Sequence, residues 1–283
     1  MFIAIFAILL FQADSLQSVI VESSRQLFRT AVSISSAPDG RLFVIDQAVN
    51  MLYEISDKNS ITKTIGGKGW GNDAFDLPCD IVSSFLLDIV VVDENNRRVQ
   101  RYDKQLNYAQ TYDEQALSTL SGRFQPIAAA TSIQGELFIL EIDSKRVIVL
   151  NQRGTFQREI GTFKESRGKL IEPKDIAVSS RNEVFVLDAK AVMVFDCFGN
   201  FLRSIPISPK EEWKTVSLSE NAVIVTSSSR IEIIAMDTNK KMVILPKTIM
   251  GAEVTEPFSD ALLQGSTLVI LTKTSLYRCT FPE

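Results

Sequence analysis

Residues 77–112 read LPCDIVSSFLLDIVVVDENNRRVQRYDKQLNYAQTY. Pro78 lacks an amide donor and is tolerated at the first residue of a strand. The uninterrupted apolar run IVVVD then ends on Asp93, and turn formers follow it. Short β-rich runs bounded by Asn and Asp clusters read as strands, so the stretch predicts an antiparallel meander.

The same run recurs along the chain: LFVID ends at Asp46, LFILE at Glu141, VFVLD at Asp188, VIVT at Thr226 and LVILT at Thr272. With Asp93 in its place, successive ends are 47, 48, 47, 38 and 46 residues apart. A repeat of this length, rich in short strands, is the signature of propeller blades. A second register agrees: Pro78, Pro126, Pro173 and Pro257 each stand 15 residues before the end of their run. Asp39-Gly40, Gln134-Gly135, Arg181-Asn182 and Gly265-Ser266 supply the turn between the first two strands of a copy. Gly154 and Gly199-Asn200 lead from the third strand into the fourth. The expected fold is all-β: a six-bladed β-propeller with four-stranded antiparallel blades. The last copy supplies three strands before Glu283, and residues 18–22 (SVIVE) precede the first copy as an unassigned strand. One completes the other, so the ring is expected to close by an N-terminal strand joining the last blade, without an open edge.

Composition narrows the chemistry. The chain has 283 residues, 30 basic and 34 acidic, for a net charge of -4. Sequence-independent phosphate binding needs a cationic excess, so a surface built for nucleic acid is not expected. There is no histidine. That removes His-dependent zinc sites, Ser-His-Asp and Cys-His nucleophile pairs and imidazole acid–base catalysis. Cys79, Cys197 and Cys279 are widely spaced and odd in number, so they imply no disulfide framework and read as small buried hydrophobes.

Residues 2–11 (FIAIFAILLF) are uncharged and apolar, too short to span a bilayer but the length of a signal-peptide core, although no Lys or Arg precedes them. Ala13 and Ser15 suit a signal peptidase, which makes residues 1–15 a signal peptide and 16–283 the mature, exported propeller domain.

The stretch at 77–112 resembles an NHL repeat, with its proline entry, apolar second strand, Asp93-x-x-Asn96-x-Arg98-Val99 turn and following Tyr102-Asp103. Residues 172–205 resemble it without the Asn and Arg of the turn, residues 125–160 and 31–66 less closely, and those after 213 in strand pattern and period. Families of this shape include secreted binding modules, sensor domains, RNA-binding domains and metal-dependent enzymes, and fold alone does not choose among them.

The resemblance places ligands on the face shared by the turns between second and third strands and by the loops joining blades. Those turns carry Arg97, Arg98, Arg146, Lys190, Arg230 and Lys273; the joining loops carry Trp70, Arg123, Arg167 and Trp213. Arg is a bidentate donor to carboxylates and phosphates, although in the family turn it pairs with the Asp ending the strand, as Arg97 would with Asp93. Trp70 lies in the glycine-rich GGKGWGNDAF, where a large ring is hard to bury; exposed aromatics are frequent binding anchors. Those glycines form no phosphate loop, because no Gly-Lys-Ser/Thr follows. Asp80, Asp175 and Asp260 occupy matching places in blades two, four and six, where the other copies have Ser33, Ala128 and Thr215. Three carboxylates converging on an axis suit a hard cation such as calcium, or else each accepts amides from the neighbouring blade. The leading expectation is a monomeric, exported binding or scaffold module without cofactor or membrane span, recognising a protein, peptide or glycan. A metal-dependent lactonase-like hydrolase and an RNA-binding domain are the alternatives.

Overall fold

The computed structural model describes residues 15–83, 88–118, 120, 122–162 and 167–282. Of the expected signal segment, residues 1–15, only Ser15 is among them, and it is paired with Met242 in a short strand. Six antiparallel sheets follow one another in sequence and close into a ring. Blade one is Ala31–Ser36, Leu42–Asp46, Met51–Ile55 and Ile61–Gly66. Blade two is Pro78–Ser83, Ile89–Asp93, Arg98–Tyr102 and Tyr108–Tyr112. Blade three is Pro126–Thr131, Leu137–Glu141, Arg146–Leu150 and Phe156–Ile160; blade four is Asp175–Val178, Val184–Asp188, Ala191–Phe195 and Phe201–Pro206. Blade five is Trp213–Leu218, Ala222–Ser227, Ile231–Ala235 and Lys241–Ile244. Blade six takes Phe258–Gln264, Thr267–Thr272 and Ser275–Thr280 from the C-terminal region and Val19–Gln26 from the N-terminal one.

The second strand of every blade is buried on both faces. That explains why these strands are unbroken apolar runs rather than alternating ones. Successive side chains point to opposite faces of a sheet, so Ile89 and Val91 pack toward blade one while Val90 and Val92 pack toward blade three. The core is accordingly six wedges, one per seam, and each blade contributes to two. Fully burying a side chain such as Phe43 or Phe138 contributes roughly 1.5–3 kcal/mol. The outermost strands carry polar residues; Ile61–Gly66 is exposed over most of its length.

The N-terminal strand is longer than residues 18–22, running from Val19 to Gln26 antiparallel to Ser275–Thr280. Two blades also have a fifth strand that strand pattern alone does not reveal. Ser15–Leu16 lies parallel to Lys241–Ile244 of blade five, and Ile249–Met250 lies parallel to Val19–Gln26 of blade six. The N-terminal segment therefore straps both blades beside the closure.

Asp46, Asp93 and Asp188, which end their second strands, act as clasps. Asp46 accepts the amides of Arg29 and Thr30, Asp93 that of Asp76, and Asp188 those of Ile171 and Glu172, each in the loop arriving from the previous blade. In blades five and six the partners are exchanged. The strand offers hydroxyls, Ser227 and Thr272, and the arriving loop offers the carboxylates, Glu211 and Glu256.

Candidate functional site

The loop joining blades one and two leaves Gly66 and Gly67 at positive φ and folds back through the Phe75 amide, which donates to Gly67 O at 2.9 Å. Phe75 anchors it in the seam. Between these points the third strand of blade two and the turn before it hold the loop by its backbone. Asn96 donates to Gly69 O at 2.8 Å, and Gln100 and Tyr102 both donate to Asn72 O. The Arg98 guanidinium reaches Trp70 O, Gly71 O and Ala74 O at 2.8, 3.0 and 2.8 Å, while its Nε donates to Asp93 at 2.8 Å. Arg98, Gln100 and Tyr102 stand two residues apart in the strand, so they form one polar row on one of its faces, and Asn96 adds a donor from the turn before it. Above this brace the Trp70 side chain is 73% exposed.

The expected contact residues divide accordingly. Arg97, Arg123, Arg167, Lys190 and Lys273 are exposed on the loops and turns of this face. Arg98 is not: its charge is buried against Asp93, and it positions the tryptophan loop instead. The family turn therefore pairs Asp93 with Arg98 and not with Arg97, whose positive φ turns it outward. Arg146 is likewise buried between Glu141 and Glu159, and Arg230 pairs with buried Glu232 at 2.8 Å. Trp213, only 5% exposed, fills the seam between blades four and five, and its Nε1 donates to Ser208 O at 2.9 Å. It is a packing residue. Among the cysteines, Cys279 is buried whereas Cys197 sits partly exposed beside exposed Phe198 in a hairpin turn.

Asp80, Asp175 and Asp260 line a central cavity of about 390 Å³. An innermost strand has a ladder partner on one side only, which leaves amides facing the axis. The three acids satisfy them in pairs. Asp80 accepts Ile81 and Ala129 at 2.8 Å each; Asp175 accepts Ile176 at 2.8 Å and Val216 at 2.7 Å; Asp260 accepts Ala261 at 2.7 Å and Ile34 at 3.0 Å. Each acid thus spans its own blade and the next, and together they take the equivalent amide of all six blades. Ser33 adds a hydroxyl bond to Asp80 at 2.8 Å. Burial pushes the Asp260 carboxyl up to about 7. It raises Asp80 as well, and burial together with the charges of Asp80 and Asp260 raises Asp175 well above the ordinary range. Every oxygen of the ring already accepts a hydrogen bond. Among the described residues no group of three or more His, Cys, Asp or Glu has metal-holding geometry.

No family model matches the chain. Over 124 residues it is 28% identical to the B-box type zinc finger protein ncl-1 of Caenorhabditis elegans, covering 43% of this chain and 14% of that protein. Over 137 residues it is 25% identical to Protein brain tumor of Drosophila melanogaster, covering 47% of this chain and 13% of that protein. The matched region is thus about one seventh of the length of these curated relatives. Among solved structures, a catalytically inactive histidine-to-alanine form of virginiamycin B lyase from Staphylococcus aureus, with quinupristin, superposes with a TM-score of 0.63 at 14% identity, covering 89% of this chain and 80% of that one. A gluconolactonase from Xanthomonas campestris gives 0.67 at 11% identity, covering 95% and 96%. At these identities the two structures establish the shared architecture.

Proposed function

We propose that this six-bladed propeller, whose repeats are of NHL type, is an exported, monomeric, non-catalytic binding module whose partner docks on the face carrying Trp70. The observation that carries this reading is the braced loop. Exposing an indole gains nothing for folding, yet six side-chain bonds from one strand and the turn before it hold the loop beneath it. An anchor fixed before binding loses little entropy on association, and buried aromatics dominate binding energy at interfaces. Arg97, on the turn beside the loop, adds an exposed cation for a carboxylate or phosphate of the partner. A protein or peptide fits this arrangement, and a sugar ring stacked on the indole is the glycan counterpart.

Two observations favour binding over catalysis. The lyase that shares the architecture is catalytically inactive in its histidine-to-alanine form, and this chain has no histidine. The axial acids are engaged in hydrogen bonds to the blades. The apolar run at residues 2–11 supports export.

Panning a displayed peptide library and a glycan array against the purified propeller tests the proposal. Ligands that bind the protein and lose at least about 30-fold in affinity to Trp70→Ala, at unchanged Tm, are expected. Ligands indifferent to Trp70→Ala and Arg97→Ala would displace the site to another surface. Salt-insensitive, negligible binding to single-stranded RNA is expected in the same assay; tight binding would replace the proposal by the nucleic-acid reading. N-terminal sequencing of secreted protein is expected to begin near Leu16, and retention of the intact chain in the cytoplasm would remove the export component.

A further inference from the structure

The carboxylates at the axis have no cationic partner: among the described residues no lysine or arginine contributes to the cavity wall, which is built of serine hydroxyls, backbone and aliphatic side chains around Asp80, Asp175 and Asp260. Three negative charges facing one another in such a cavity repel, and each is desolvated. Their positions are nevertheless fixed by the blades, because each must reach two amides on different sheets. We propose that Asp80, Asp175 and Asp260 form a protonation-dependent lock across the seams between blades two and three, four and five, and six and one, tightening the ring in mild acid and loosening it as pH rises past neutrality.

The direction follows from linkage. All three carboxyls are raised above their ordinary range, Asp260 to about 7. The folded chain therefore binds protons that the unfolded chain has already released above about pH 4. The stability contributed by these protons is complete below the ordinary carboxylate range and is lost as pH climbs through about 7. The Cys79 thiol also feels the ring, and burial pushes it well above its usual range, so it stays neutral between pH 5 and 8. Burial raises Asp93 and Glu94 too, away from the axis. They act in the same direction, so the ring must be isolated by difference.

Thermal unfolding between pH 5 and 8 tests the lock on the full-length protein. The wild type is expected to lose on the order of 5 °C in Tm across this range. Asp260→Asn is expected to melt lower at pH 5, because its amide NH2 opposes a backbone donor, but to show a distinctly shallower decline. A wild-type Tm that rises over the range, or a variant decline equal to that of the wild type, would overturn the proposal. Should the variant fail to fold, carboxyl 13C NMR of the aspartate-labelled wild type decides. At least one buried aspartate titrating near pH 7 is expected, and complete ionisation of every aspartate by pH 5 refutes the lock. Calcium chloride at pH 8 is the final arm. An unchanged Tm supports the protonated lock, whereas a rise that Asp260→Asn abolishes would put a cation in the proton's place.

Discussion

Arg97 and Arg98 are neighbours with opposite fates. A positive φ at Arg97 leaves it on the surface, while Arg98 enters the sheet and divides its donors among one carboxylate and three carbonyls. Removing Arg98 strands the buried Asp93 charge and releases the loop. Arg98→Ala is therefore expected to cost about 3–5 kcal/mol in urea unfolding and to make the Trp70 indole more mobile, read by fluorescence anisotropy in a Trp213→Phe background. Trp213→Ala, by opening a cavity in a packed seam, is expected to cost about 3–5 kcal/mol. Trp70→Ala should stay within about 0.5 kcal/mol of wild type. An equal loss at both tryptophans would contradict their assignment to different roles. Gly66 has a third kind of constraint: a Cβ there would lie 2.3 Å from Asn50 O at a φ of +131°. Gly66→Ala is expected to lower stability by about 1–3 kcal/mol or more, and an unchanged Tm would show that the loop can shift.

The strands differ in how plainly sequence declares them. Those at the second position of each blade are pressed between two neighbours, so burial on both faces leaves an unbroken apolar run that recurs every 38 to 48 residues. That is why the number of blades is legible. The fifth strands are not, because Ser15–Leu16 and Ile249–Met250 are two residues long and owe their conformation to partners distant in the chain. The brace under Trp70 was half legible. Its exposed ring follows from the glycines around it, but a basic turn does not say which arginine faces inward. The signal that would have shown it is the polar alternation Arg98, Gln100, Tyr102 in an otherwise buried strand, with Asn96 in the turn before it, since a row of buried donors requires acceptors. The exchanged clasps of blades five and six hide the family turn for a similar reason: the carboxylate has moved from strand to loop. In Glu256 partial burial pushes the carboxyl up, and bonds from Thr272 and Thr274 outweigh this to hold it below its usual range. Its contribution to stability is therefore present above the ordinary carboxylate range and fades as pH falls below it. Glu256→Gln is expected to lower the Tm at pH 7 by a few degrees and to converge toward wild type at pH 3, as monitored by circular dichroism.

At the scale of the ring, no blade can bury its own faces, so the six wedges stand or fall together. Deleting residues 15–26 removes the fourth strand of blade six and the strap on blade five. It is expected to abolish the single cooperative melting transition seen by calorimetry and to expose the edge of Ser275–Thr280 to self-association. A truncated chain that melts cooperatively and stays monodisperse would show that closure does not depend on this segment.

The arithmetic at the axis has an evolutionary corollary. Three acids serving two donors apiece balance only when sectors come in even number. Gaining or losing one sector would leave a solitary donor at the hub with nothing to receive it. Descendants of this chain should therefore change size by pairs of sectors or surrender the acidic hub altogether.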